Sequence, residues 1–324
     1  MRLRVVAAFM VPLAVALPAA GAEPYPAKPI SLVVAFPAGG PTDFIARTTA
    51  QSMQKTLGQQ ITVENVSGAA GTVGVGRVAR ASPDGYSLLV HHIGMATAPA
   101  LYRKLPFDPL QDFIPLGAIA DVPMTIVGRA NFPAQSFKEM LAYVKANGDK
   151  VTYANAGIGS ASHLCGLLFM QAIGTLMTTV PYKGTQPAMT DLLGGRVDLL
   201  CDQTTQTTAQ INAGKIKAYA ATTRNRVATL PDLPTLHELG LKDFHVAIWH
   251  VLYTQKNTPK EAVDKLVKAL QGALADPVVK QRFSELGTEP VALERATPEW
   301  ASAMLKSEIE RWAPVIRAAG QYAD

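Results

Sequence analysis

Charge is sparse in this sequence. Asp, Glu, Lys and Arg make up 17% of its 324 residues and the basic ones are scattered, so no stripe exists to track a phosphate backbone. Nucleic acid is therefore not expected as a partner. Long apolar runs are equally scarce: beyond residue 22 none approaches the roughly 20 residues that span a bilayer. Nothing there argues for an integral membrane protein. Nucleotide and hydrolase signatures are missing too. Gly39-Gly40-Pro41 lacks the spacing of a dinucleotide fingerprint, and the run through Gly157 and Gly159 has Ser162 where a third glycine belongs. Nor does Gly157 to Ala161 fit the G-x-S-x-G elbow. The adjacent His91 and His92 would point to opposite faces of a strand, with no acid or thiol nearby to complete a metal set. Neither a metal nor a nucleotide is expected.

Cysteine is limited to Cys165 and Cys201. In an oxidising compartment an even count favours a disulfide, but separation in sequence says nothing about separation in space. Two buried thiols are one alternative. A nucleophilic thiol is another, and it would want a base and an orienting acid, for which His163 is the only histidine close by.

What is present begins at the N-terminus. Met-Arg-Leu-Arg, the apolar run from Val5 to Pro18 and the small residues Ala20, Gly21 and Ala22 have the three regions of a secretory signal, with cleavage before Glu23. An uncleaved anchor is the competing reading, but the run is short and Pro12 and Pro18 interrupt it. Removing residues 1–22 takes Arg2 and Arg4 away, so a net charge of +5 becomes +3 on a mature chain of 302 residues (324 less 22). That length suits two lobes better than one core.

Strand and helix patterns alternate along the mature chain. Residues 30–36 read as a strand closed by Pro37 and Gly39-Gly40, then 42–57 as a helix, 61–66 as a strand, 72–81 as a helix and 86–91 as a strand. This βαβαβ start implies a parallel sheet with helices on its faces. The pattern restarts with strands at 124–128, 151–154, 178–182, 197–201 and 216–222, separated by helices at 136–147, 162–173 and 186–194. A last strand at 249–253 precedes amphipathic helices at 258–274, 277–286 and 298–319. Those helices need a surface to cover, and the first lobe supplies it if the second is an insertion. The expected division is residues 23–123 with 248–324 against 124–247, connected by hinge strands.

Three strand-to-helix turns are candidates for a binding site. Phe36 to Asp43 holds two glycines that allow close approach of a ligand, and Pro41 and Thr42 open a helix with unpaired amides. Tyr153 to His163 is rich in small residues, with hydroxyls at Ser160 and Ser162, and Val180 to Thr185 adds Lys183 and Thr185. Each alone is an ordinary βα connection. Together, beyond the carboxyl ends of strands in two lobes, they would form one anion seat.

The segments Tyr25-Pro-Ala-Lys-Pro-Ile30 and Val33-Val-Ala-Phe-Pro-Ala-Gly-Gly-Pro-Thr-Asp43 resemble the start of the tripartite tricarboxylate transporter receptors, the TctC or Bug family of periplasmic binding proteins. The resemblance continues in order through Ser82 to Tyr86, Val180 to Gly184, Asp191 to Asp198, Leu230 to Thr235 and Leu286 to Pro290. It implies a two-lobed, type II-like α/β periplasmic binding fold, each lobe a mainly parallel sheet flanked by helices, with the ligand in the interlobe cleft. It implies no cofactor and no catalysis. It also implies a periplasmic monomer that carries a small carboxylate to the membrane permease of a tripartite tricarboxylate-type transporter. Carried over by position, the first-lobe contacts are Phe36, Ala38, Gly39, Gly40, Thr42 and Asp43, and the second-lobe contacts Ser160, Ala161, His163, Lys183, Gly184 and Thr185.

His92 and Asp202 follow strands that end near the expected cleft, and Trp249 lies on the expected hinge strand. Asp43 would repel an anion and is better placed as a cap or as a brace of the turn. The sequence departs from the family at Ala35, at the second turn and at both cysteines. Two further readings stay open: a hydrolase or lyase acting through Ser160 and His163, and a ligand sensor for a signalling partner.

Overall fold

The computed structural model describes residues 24–320 and 322–323. The expected export signal lies outside the described residues. Strand β1 (Ile30–Val34) is a short apolar run covered on both faces, as a strand inside a parallel sheet must be. It turns into α1 (Pro41–Leu57), where Pro41 occupies the first turn, whose amides have no intrahelical partner. With β2 (Ile61–Asn65), α2 (Thr72–Ala79) and β3 (Ser87–His92) this completes the βαβαβ unit, in which β1 pairs in parallel with both other strands.

The next element was not legible. Helix α3 (Gly94–Leu101) stands where the sequence suggests only a turn at Gly94, because its buried, uncharged residues carry no amphipathic period. Strand β4 (Phe113–Arg129) extends far beyond the expected 124–128. Pro115, Gly117 and Pro123 disguise its first part, which is irregular where it pairs with β9 (Ala247–Gln255).

Four helices, α4 (Phe137–Asn147), α5 (Ala161–Ile173), α6 (Thr185–Leu193) and α7 (Thr204–Asn212), alternate with β5 (Thr152–Asn155), β6 (Thr178–Pro181), β7 (Leu199–Gln203) and β8 (Ile216–Ala221). Helix α7 also went unforeseen. Its sequence is rich in threonine, a weak helix former, and has no strong amphipathic stripe.

The sheet order is β2-β1-β3-β9-β4-β7-β5-β6, with β8 also on β4. Each lobe keeps a parallel set, β2-β1-β3 in one and β6-β5-β7 in the other, and antiparallel pairs with β9 and β4 join the two. Strand β4 serves both. From Phe113 to Pro123 it pairs with β9, and from Met124 onward with β7 and β8. The chain ends in α8 (Lys260–Ala275), α9 (Pro277–Ser284) and α10 (Pro298–Ala319). Their apolar stripes are covered by the β1 lobe: α8 packs on α1 and β4, and α10 on α3 and β4. Cys165 on α5 and Cys201 on β7 form a disulfide with 6.2 Å between Cα atoms.

Candidate functional site

Four helix N-termini converge on one cavity between the lobes. Gly40, Pro41 and Thr42 come from the start of α1, Ser160, Ala161 and Ser162 from α5, Thr185 and Gln186 from α6, and Gln203 from the residue preceding α7. Gly40, Gly184 and Gln203 place no side chain on the first amides of their helices. Those amides and the partial positive charge of each helix end favour an anion. The cavity holds about 20 Å³, room for roughly one water. A wider pocket of about 300 Å³ adjoins it, sharing Phe36 and Ala156, and takes in Gly71, Tyr102, Tyr182 and Lys183. A groove of about 500 Å³ around Asp121, Arg224 and Glu289 is larger but contains none of the three strand-to-helix turns.

The wall beside β1 is built of neutral rings. Phe36 stacks on His92 with centroids 4.5 Å apart and lies 5.2 Å from His91. Both imidazoles thus meet the same phenyl ring. The alternation expected of a strand breaks here because β3 ends at His92 and the backbone turns helical at Ile93. His92 Nδ1 accepts the Gly94 amide at 3.1 Å, which places its proton on Nε2 and makes this cavity-lining ring a donor. His250 Nδ1–H donates to Ile248 O at 3.2 Å, so its Nε2 accepts from the Thr42 hydroxyl at 3.3 Å. Burial pushes His91 down to about 4 and His250 to about 3, and it holds His92 well below the usual histidine value. All three are uncharged at neutral pH.

Asp43 braces the first turn. Its carboxylate accepts from the Gly39 amide at 2.9 Å, from Arg47 Nε at 3.0 Å and from Asn65 Nδ2 at 2.9 Å. Burial raises its pKa, but the bonds from Arg47, Gly39 and Asn65 outweigh burial and leave it below the usual value. A carboxylate depressed in the folded state stabilises the fold above its unfolded pKa, and that contribution disappears as pH falls through the folded value. Asp43→Asn should therefore cost about 1–2 kcal/mol at neutral pH and flatten the acid limb of stability. Urea unfolding between neutral pH and about pH 3 checks this; an acid limb as steep as in the wild type would show that Asp43 is not the group responsible.

The second and third turns close against the β1 lobe. Ser160 Oγ accepts the His163 amide at 3.3 Å and lies 3.2 Å from Ser162 Oγ, so it caps α5. The His163 ring accepts the Gly159 amide on Nδ1 at 3.2 Å. Across the cleft, Thr97 on α3 donates its hydroxyl to Gly159 O at 3.2 Å. A Cβ at Gly159 would meet Leu101 Cδ1 at 2.3 Å, and one at Gly184 would meet Pro37 Cδ at 2.4 Å. Both glycines have positive φ, +88° and +133°.

The sequence profile of the "Tripartite tricarboxylate transporter family receptor", TctC, matches residues 45–321. This chain belongs to the TctC family. It is 52% identical over 299 residues, covering 92% of this chain and 86% of the other, to an Agrobacterium vitis protein named for the TAR-I ttuE-ttuC' intergenic region. The solved structure of the periplasmic binding protein BugD is 53% identical with a TM-score of 0.89, over 92% of this chain and 99% of that one. MatC from Rhodopseudomonas palustris with bound malate is 38% identical, with a TM-score of 0.86 over 90% and 100%. The two-lobed periplasmic binding fold is shared with these proteins.

Eight residues singled out in the sequence line the narrow cavity of this TctC-family receptor: Phe36, Gly40, Thr42, His92, Ser160, Ala161, Thr185 and Asp202. Lys183 lies on the adjoining pocket, and Gly184 sits against Pro37. Ala38 and Gly39 are exposed, while Asp43 and His163 are buried behind the lining. Trp249 turns away from the cleft and donates Nε1–H to Glu308 on α10 at 3.2 Å. Ala156, within the second turn, lines the cavity as well. Gln186 and Gln203 also line it, and no local motif marks them; Gln203 is there because the unforeseen α7 starts beside it. Among the described residues no Lys or Arg lines the narrow cavity.

Proposed function

We propose that this TctC-family chain is exported to the periplasm and cleaved before Glu23. There it acts as a monomeric receptor that captures a small carboxylate and hands it, chemically unchanged, to the membrane permease of a tripartite tricarboxylate-type transporter. The observation that carries this reading is the convergence of four helix N-termini, three without a side-chain cap, on one cavity. Malate bound to MatC supports the carboxylate class. Lobes divided as residues 23–123 with 248–324 against 124–247 would move about β4 and β9. A cavity of about 20 Å³ is too small for any diacid, so cargo enters with the lobes apart and closure follows. The energy of closure comes from contacts made only in the closed state.

The test is a thermal-shift screen of residues 23–324 against aliphatic and aromatic mono-, di- and tricarboxylates and amino acids. Cargo that binds only the folded protein raises the melting temperature. One carboxylate hit, recovered intact, is expected; a hit that is consumed would establish an enzyme instead, and silence across the panel would favour a sensor of other ligands. The double variant Ser160→Ala, Lys183→Ala should weaken the hit by roughly 2 kcal/mol, about thirtyfold. Unchanged affinity would count against capture by both lobes.

A further inference from the structure

Asp202 ends β7 in the narrow cavity with 1% of its surface exposed. Its Oδ1 accepts the Gln203 amide at 2.8 Å. Its Oδ2 is buried with no hydrogen-bond partner among the described residues, as is Gln203 Oε1 beside it. The nearby Thr185 hydroxyl has a single hydrogen, and it goes to Gln206 Oε1 at 2.8 Å. Two unmatched acceptors therefore face a cavity otherwise rich in donors. A cargo carboxylate seated there would set acceptor against acceptor, a costly arrangement in a buried site. Gln203 can rotate its amide to offer a donor. Asp202 becomes a donor only by binding a proton.

We propose that Asp202 holds cargo in its protonated form, donating Oδ2–H to a cargo carboxylate oxygen, so that capture takes up a proton from solvent wherever Asp202 is ionised beforehand. This rests on the carboxylate-receptor reading above and adds a coupled ion to it. Among the described residues no cation lines the cavity to do the same work. From β5 the titratable neighbour is Tyr153, whose hydroxyl is committed to Ser162 O at 2.9 Å. Thr125 faces Asp202 from β4; α6 presents Thr185 and Gln186, α7 presents threonines and glutamine, and α5 presents Ser160, Ser162 and His163. Across the cleft stand His92 and, behind it, His250, both neutral through burial. Lys183 belongs to the adjoining pocket. Burial pushes the Asp202 pKa up to about 7, against the lowering effect of the Gln203 amide. A carboxylate brought alongside pushes it further the same way.

Titration calorimetry of residues 23–324 with succinate and with malate, at about pH 6.5 and about pH 8.5 in buffers of different ionisation enthalpy, reads affinity and proton uptake together. If only the protonated form binds, affinity falls roughly 25-fold across that range, with close to one proton taken up per cargo at the upper pH. Succinate has no hydroxyl, so it must show the effect as fully as malate. Asp202→Asn carries a permanent donor and should take up no proton and bind more tightly than the wild type at the upper pH. Zero uptake by the wild type overturns the inference. So does an Asn variant that is weaker at both pH values, which would make Asp202 an ionised acceptor for a cargo hydroxyl or ammonium. Proton uptake that persists in the Asn variant assigns it to another group and overturns the inference. Failure of both acids to bind at either pH, alongside a carboxylate hit in the thermal screen, overturns the inference for small diacids and leaves the receptor reading standing; silence in both experiments overturns the receptor reading as well.

Discussion

Replacing Cys165 and Cys201 together with alanine is expected to cost roughly 3–4 kcal/mol of stability, because the bond closes a loop of sequence separation 36 and restricts the unfolded chain. Both residues are fully buried, so the shorter side chains leave a small void that adds to the loss. The effect should reach the cleft. Cys165 lies one turn into α5, whose first residues line the cavity, and Cys201 directly precedes Asp202. Untying them lets the α5 amides and the Asp202 carboxyl move independently, and cargo affinity should fall with stability. Urea unfolding of the double variant and of the dithiothreitol-reduced wild type checks this. A stability loss under about 1 kcal/mol would show that packing of α5 on β7 suffices without the bond.

Gly159→Ala should leave each lobe folded but hold the lobes apart. The added methyl would sit 2.3 Å from Leu101 Cδ1, and φ of +88° is unfavourable for any residue with a Cβ. Leu101 is 1% exposed and cannot swing clear. Relief comes from separating the second turn from α3, which also breaks the hydrogen bond from Thr97 to Gly159 O. Cargo affinity should drop at least about tenfold, some 1.4 kcal/mol or more. Solution scattering should show a radius of gyration that no longer contracts when cargo is added. Contraction and affinity equal to the wild type would mean that this contact does not define the closed state. Gly184, set against Pro37 at the other edge of the cleft, offers the same experiment at an independent position.

Much of this could be read in advance wherever the signal is local. Strand β1, the glycine turn and α1 were legible because an apolar run, a Gly-Gly pair and a proline at the helix start follow one another within a few residues. The amphipathic stripes of α8 and α10 were visible for the same reason. Elements without a local signature went unseen. Helix α3 has no polar face to set a period, α7 is built largely of poor helix formers, and the first half of β4 is broken by Pro115 and Gly117. Each holds its conformation through burial against partners distant in sequence.

The candidate site divides along the same line. Turn chemistry alone pointed to the residues around Gly40, Ser160 and Thr185, since free amides at a helix start are a property of the segment itself. The roles of individual groups depended on their neighbours in space. Asp43 is occupied by Arg47 and Asn65, Trp249 by Glu308, and His250, more than 200 residues from Thr42, accepts its hydroxyl. By itself the sequence determined the strands, helices and unpaired amides that carry a local signature, as in β1, α1 and the turns at Ser160 and Thr185, because these follow from backbone geometry over a few residues. Only the tertiary structure decided which polar groups find partners and which, like Asp202 Oδ2, are buried without one among the described residues. Hydrogen bonding and desolvation are settled by contacts that chain order does not encode.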